Sequence, residues 1–478
     1  MLVQDTAYDT LLRGPRQVLH ARIAKAVREQ SPELIERSPE ILAHHLTAAG
    51  ELDSAATYWL EAGRRASGRS ANIEAAAHLA RGIAGLSGLT ETPERLQQEL
   101  ALQLALGPVL LSTRGYGVPE ARRPYRRAAE LAARLGDDRA RFAASWGLWI
   151  TTHGGGREDE ERLRHLGGLV QIADRVADPE LSLQAHHSAW ATWIWGGEFV
   201  RSQDHVRQGI ALYDPDKHRH HALLYGGHDP GVCGKGQGAV ALWALGYPDQ
   251  AAQGAQEGIV LAERLRHVPS VLHSLWFTAA VCHLRQDLAT VRACSDRLLT
   301  LGREHGLKQY QAIGGIFHGW ALTQSASGEE GLAELRSCVG CYGEIGWTML
   351  ALFRAILAEA ELRAGNFKQA EALVGIEEMG NRWWWAEFLR LRGELHRNGP
   401  VGDRAAAEQS YREALAVAQG QQAKSLELRA ATSLVRQWRD EGRRQEGHEL
   451  LAPVYGWFTE GFDTVDLKEA KALLDQLE

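Results

Sequence analysis

The chain has 478 residues, 45% apolar and 24% charged, with 14 prolines, five cysteines and a formal charge of −7. This fits a folded, mostly helical protein and excludes a disordered or disulfide-stapled one, and the acidic balance gives no global attraction to nucleic acid or to an anionic membrane. No stretch approaches the roughly 18 consecutive apolar residues of a membrane span, and Met1-Leu2-Val3-Gln4-Asp5 lacks a signal-peptide pattern, so a cytoplasmic protein is expected.

Residues 1–33 carry no repeat signature. Leu11, Leu12, Val18, Leu19, Ile23 and Val27 predict two amphipathic helices broken near Gly14-Pro15, which read as the end of another domain. From residue 34 a repeat sets in, beginning with Pro39-Glu40-Ile41-Leu42-Ala43-His44-His45 and Gly50. A glycine followed five residues later by a small residue recurs roughly every 40 residues: Gly50/Ala55, Gly197/Ser202, Gly246/Ala251, Gly328/Ala333, Gly365/Ala370, Gly402/Ala407 and Gly442/Gly447. Gln286 holds the same phase without glycine, and Gly115 and Gly156 hold it without the small residue. Glycine suits a left-handed helix terminus, and a small side chain one turn into the next helix lets two axes approach. These ten positions predict about ten antiparallel helix pairs stacked as an all-α, tetratricopeptide-like solenoid, whose usual work is to bind something else.

Arg122-Arg123-Pro124-Tyr125-Arg126-Arg127 reads as a solvated helix face. Trp146, Trp149, Trp190, Trp193, Trp243, Trp276, Trp320 and Trp385 fall in the first helix of a pair, where large rings either fill space between repeats or face a groove. Residues 213–238 (YDPDKHRHHALLYGGHDPGVCGKGQG) stretch one repeat, and their Asp-Pro steps and glycines predict loop and turn. His218, His220, His221, His228, Asp229 and Cys233 are all of metal-ligating type, but their spacing matches no closed zinc pattern, so no metal is expected there. The glycines around Lys235 fail the Walker requirement because Gly236 follows the lysine. Cys338-Val339-Gly340-Cys341 falls in a second helix, away from the strand–turn–helix setting of a thioredoxin-like site. Residues 448–478 hold Tyr455, Trp457, Phe458 and Phe462 before a last helix opened at Asp466, which reads as a terminal cap.

The segments LVQDTAYDTLL, RQVLHARIA, LAHHLTAAG, YDPDKHRHHALLYGGHDPGVC, ALWALGYPDQA, QQAKSLELRAATSLVRQW and ELLAPVYGWFTEGFDTVDLKEAKALL together resemble the C-terminal part of a bacterial family of multidomain signalling proteins. In that family a class III nucleotide cyclase or regulatory domain and a STAND-type ATPase precede tetratricopeptide-like repeats. The resemblance implies that residues 1–33 are the remnant of a helical or winged-helix region following the ATPase core, 34–447 the repeat array and 448–478 its cap. Cyclase carboxylates and Walker motifs would lie upstream of these residues, so the resemblance implies a sensor arm without catalysis or cofactor.

The reading that follows is a non-catalytic module that binds a protein or peptide, or a small effector, on the concave face of a superhelix. Trp193, Trp243, Trp276, Trp320, Tyr225, His228, Asp229 and Cys233 are the expected binding residues. The alternative is a small-ligand or metal-binding module centred on His218–Cys233, and a more distant one is part of an ATP-binding nucleotide cyclase whose catalytic domains are not in these residues.

Overall fold

The computed structural model describes residues 12–152, 158–345, 349–375 and 382–478. Among these residues there are 25 α-helices and no strand, and no helix is long and apolar enough to cross a membrane. Gly156 and residues 2–11 of the family-like segment LVQDTAYDTLL lie outside the described residues.

The chain divides into two compact units. The first comprises residues 1–114, 119–148 and 222–227. Its helices are α1 (Arg13–Gln30), α2 (Pro32–Arg37), α3 (Pro39–Ala49), α4 (Leu52–Gly68), α5 (Asn72–Leu86), α6 (Pro93–Arg114), α7 (Pro119–Leu135) and most of α8 (Asp138–Ile150). Helix α1 begins at Arg13 after an extended Leu12, with Gly14-Pro15 in its first turn where proline's missing N–H costs nothing, and the helix expected before it lies outside the described residues. On α7, Arg123 and Arg126 are exposed and Arg127 pairs with Glu99 at 2.6 Å, as a solvated face should. The buried Tyr125 ring of α7 occupies the space left by two glycines, for a Cβ on Gly107 or Gly147 would stand 2.3 or 2.0 Å from it. Tyr225 packs in this unit, its ring 6.1 Å from Phe142 and 5.5 Å from Trp146.

The second unit comprises residues 115–118, 149–221 and 228–478. Its helices run α9 (Glu158–Val176), α10 (Pro179–Trp195), α11 (Phe199–Leu212), α12 (His221–Leu224), α13 (Pro230–Ala244), α14 (Pro248–Leu265), α15 (Val268–Leu284), α16 (Leu288–Glu304), α17 (Lys308–Thr323), α18 (Gly328–Ile345), α19 (Leu350–Arg363), α20 (Phe367–Val374), α21 (Trp385–Asn398), α22 (Arg404–Gly420), α23 (Lys424–Asp440), α24 (Arg444–Gly456) and α25 (Val465–Asp475). Only the first residue of α12 belongs to it.

The predicted turns have a common geometry. Gly197, Gly246, Gly365 and Gly442 take φ values of 82°, 94°, 76° and 81°, and Gln286 takes 62°. At each, the next residue's N–H reaches back five residues to close the helix end, as from Tyr247 to Leu242 O and from Asp287 to Cys282 O. Ala251, Ala370 and Ala407 are fully buried one turn on. Gly328 departs from the pattern: it is the first residue of α18, Ala333 is exposed, and Gly331 makes the close contact, since a Cβ there would stand 2.6 Å from Gly319 O. The expected phase is thus two residues late in this pair.

Within the second unit the array closes on itself. Ser425 at the start of α23 donates to Trp243 O at the end of α13 (2.5 Å), and Arg429 donates to Leu284 O at the end of α15 (3.0 Å). Residues beyond α24 return to the α13–α14 turn, where Glu460 accepts from the backbone N–H of Asp249 and Gln250 and Gly461 N donates to Asp249. The first helices of distant pairs therefore meet, and the inner side of the array is core. Trp195 packs on Trp383 at 5.1 Å and Trp243 on Trp384 at 5.9 Å.

The expectation of a loop through residues 230–238 is corrected: Pro230–Ala244 is a helix with Asp229 as its N-cap. Its glycines are sites of close approach. A Cβ at Gly231 would meet Tyr213, at Gly234 Ile210, at Gly236 Phe277 and at Gly238 Val206, all between 2.4 and 3.1 Å. A helix packed on so many sides needs bare backbone on several faces, and that need outweighs helix propensity.

Candidate functional site

Two features of the second unit concentrate polar groups: a small cavity near the start of α13 and an open groove formed by α19, α21, α23 and α25.

The cavity, of about 30 Å³, is lined by Tyr116, Trp149, His187, Trp195, His228, Gln237, His273 and Trp276 among others. That is room for one water-sized guest. Each lining group is fixed by its helix. His187 is on α10, His228 immediately precedes the Asp229 cap, Cys233 and Gln237 lie one turn apart on α13, and His273 is on α15. Tyr116 comes from the turn at Gly115, whose φ of 99° and absent side chain let it pass Ile345 O, which a Cβ would approach to 2.2 Å. His228 stacks on His273 with centroids 4.0 Å apart, and its Nδ1 lies 3.2 Å from the Tyr116 hydroxyl. His187 stacks on Trp190 at 4.8 Å.

A hydrogen-bond chain fixes one tautomer. The Gln184 amide nitrogen, a donor only, lies 2.9 Å from His221 Nδ1, and its oxygen, an acceptor only, lies 3.0 Å from His187 Nδ1. His187 therefore carries its proton on Nδ1, and Nε2 is its basic nitrogen. Burial holds His187 and His273 well below the ordinary imidazole range, with the His228 ring adding to this, and pushes His221 down to about 3. The Cys233 thiol is pushed far up by burial. One ligand atom each of His187, His228 and Cys233 lies within 4.8 Å of the others. Nearer the surface, Glu180, His220 and His221 form a second such group.

The expected binding residues divide. His228 and Trp276 line the cavity and Cys233 adjoins it. Asp229 caps α13 through Val232 N and accepts from the Tyr213 hydroxyl at 3.0 Å, with burial raising its carboxyl to about 6. Trp243 and Trp320 are buried core rings: Trp243 carries the Arg429 guanidinium 4.9 Å above it and Trp320 meets His283 at 4.4 Å. Trp193 is half-buried under Arg201 at 3.6 Å. Tyr225 belongs to the first unit. Sequence reasoning missed His187, Gln237 and His273. A signal existed: His187 and His273 each precede a first-helix tryptophan by three residues.

The groove has a volume of about 120 Å³ and is lined by Glu359, Arg363, Arg390, Arg429, Arg436, Asp466 and Glu469, with Gln286, Thr432 and Ser433. Its floor is a buried ion network. Glu387, 4% exposed, binds Arg390 at 2.6 Å and Arg429 at 3.8 Å, and Arg429 donates to Asp466 at 2.8 Å. Burial pushes Glu387 up, but the two guanidiniums outweigh it and hold the carboxyl below its ordinary range. The rim is solvated: Arg363 with Glu359 and Arg436 with Glu469 are partly exposed pairs. The Thr432 hydroxyl is buried without a hydrogen-bond partner.

Cys338 is half-buried and Cys341 exposed on α18, and burial pushes the Cys338 thiol up to about 11, away from a reactive thiolate.

No family model matches the chain. An uncharacterised protein of Rhizobium meliloti (strain 1021) is 31% identical over 446 residues, which is 91% of this chain and 42% of that protein. The chain thus spans less than half the length of this curated relative. Among solved structures, the Rap protein complexed with competence and sporulation factor has 9% identity and a TM-score of 0.48, covering 77% of this chain and 99% of that one. The APC/C hetero-tetramer Cut9-Hcn1 has 12% identity and a TM-score of 0.49, covering 99% and 94%. The human IFIT1 dimer with m7Gppp-AAAA has 13% identity and a TM-score of 0.43, covering 98% and 95%. At such scores the likenesses carry nothing about ligand or activity.

Proposed function

We propose that the chain is a non-catalytic binding arm that holds a peptide or protein segment in the groove formed by α19, α21, α23 and α25. The observation that carries this reading is the groove's construction. First helices of successive pairs converge on one opening, a buried Glu387–Arg390–Arg429–Asp466 network fixes its floor, and Arg363, Arg436, Glu359 and Glu469 remain at its rim. Pre-organised charges of both signs suit an extended segment carrying both acidic and basic side chains. Trp243, expected at the binding surface, takes an indirect part by supporting Arg429.

The division into a domain remnant (1–33), repeat array (34–447) and cap (448–478) belongs to this proposal, as does a place in bacterial, cytoplasmic signal transduction beside cyclase or ATPase domains. A relative more than twice as long supports it, since that length leaves room for other domains. The proposal includes no nucleic acid and no membrane partner, in keeping with the net charge of −7.

The test is site-specific photo-crosslinking in the source organism. A benzophenone side chain replacing Arg436 should capture a discrete partner, and the same group replacing the exposed Arg207 should not. Equal capture at both positions would contradict the proposal.

A further inference from the structure

We propose that His187, His228 and Cys233 form a three-ligand site for a transition-metal dication of the zinc class, with a water as fourth ligand. The inference is independent of the groove. Its basis is the convergence of three ligand atoms within 4.8 Å in a fully buried place, on α10 and at both ends of the α13 cap. Tetrahedral zinc, with bonds of about 2.0–2.3 Å, needs ligand atoms some 3.3–3.8 Å apart, so a modest contraction closes the set.

Two further observations point to a guest. Gln237 Oε1 is buried, lines the cavity and has no hydrogen-bond partner. His273 is 2% exposed, and both its ring nitrogens lack partners. Two polar side chains left unsatisfied around a water-sized space are destabilising unless something polar fills it. A metal-bound water meets both needs.

The surrounding bonds favour ligation. His187 donates Nδ1–H to Gln184 Oε1, which directs its basic Nε2 to the metal, as second-shell acceptors do for ligating histidines. Tyr116 holds His228 by Nδ1. Binding is not a redox step: the Cys233 S–H bond breaks, the sulfur pair forms the metal bond, and the proton leaves to solvent. Two imidazoles, one thiolate and an open position are the donor set of a zinc site that keeps a water.

The test uses the full chain, stripped by chelator and titrated with cobalt(II). One equivalent should bring a thiolate-to-cobalt charge-transfer band in the near ultraviolet, which one equivalent of zinc abolishes. Cys233→Ser should lose the band with unchanged circular dichroism, His187→Ala should weaken binding at least tenfold, and Glu180→Ala should bind as the wild type does. Zinc, but not magnesium, should raise the wild-type melting temperature. This last readout decides the matter if the variants fail to fold. No charge-transfer band together with no zinc-dependent rise would overturn the proposal. So would metal uptake that survives Cys233→Ser and disappears in Glu180→Ala, which would place the ion at Glu180, His220 and His221.

Discussion

The rings of His228 and His273 lie face to face, 4.0 Å between centroids and 8° from parallel. Two like charges at that distance would repel by about 4 kcal/mol even at an effective dielectric of about 20, so the stack belongs to neutral imidazoles. The same burial governs two histidines outside the stack and gives the protein a definite pH dependence.

Burial holds His267 near a pKa of about 4 and His283 near about 3, against 6.5 for an exposed imidazole. As pH falls below 6.5 the unfolded chain takes up these protons first, so stability present above 6.5 declines toward pH 4 and below. At about 1.4 kcal/mol per pK unit, each should contribute a loss of roughly 2–3 kcal/mol by about pH 4.5. Asp229, raised to about 6, acts in the opposite sense, but one carboxyl does not offset several histidines. Melting temperatures from neutral to acidic pH should fall, and less steeply in His283→Gln. An identical slope in that variant would contradict the assignment.

The repeat turns predict substitutions of opposite sign. Gln286 holds a φ of 62°, a left-handed conformation that costs a side chain about 1 kcal/mol, so Gln286→Gly should be neutral to stabilising by up to that amount. Gly365→Ala should cost about 1 kcal/mol from strain alone, because its Cβ would meet nothing within 4 Å. Gly246→Ala should cost more, since the Cβ would also press on Trp457 at 2.5 Å and Lys424 at 2.9 Å. Urea denaturation midpoints should fall in that order.

A dispensable loop residue could be replaced without loss, but Asp229 is 1% exposed and caps α13. Asp229→Ala removes the cap and leaves the Tyr213 hydroxyl without its acceptor, at a cost of roughly 1–3 kcal/mol. Asp229→Asn, which can still cap, should recover most of it. An alanine variant as stable as the wild type would show that the cap contributes nothing.

The architecture was legible because helix ends are written locally: a left-handed residue and a small residue five places on specify a turn and a close contact. Even Gln286, without glycine, kept its phase. Gly328 failed because Ser325, Ala326 and Ser327 form the turn and Gly331 supplies the close contact, two features the pattern assigned to one glycine. Residues 230–238 failed because four glycines mimic a loop, and only the neighbours Tyr213, Ile210, Phe277 and Val206 reveal why a helix needs them. The candidate sites were half legible. His228 and Cys233 stood out by residue type, whereas His187 and His273 lie about 40 residues away on other helices and Gln237, one turn from Cys233, looked like an ordinary polar residue. The groove was invisible because its arginines look like any solvated helix face until the array closes.

The central claim, that the groove receives a peptide segment, is tested most directly by equilibrium binding. Peptides selected from a random display library against the full chain should be titrated by fluorescence anisotropy against the wild type and against Arg363→Glu/Arg436→Glu. These two rim residues are chosen because removing Arg390 or Arg429 would strand the buried Glu387 and unfold the site. Affinity should fall at least tenfold, a change of about 1.4 kcal/mol, while Arg207→Glu binds as the wild type does. Unchanged affinity in the rim variant, with its fold intact, would contradict the account.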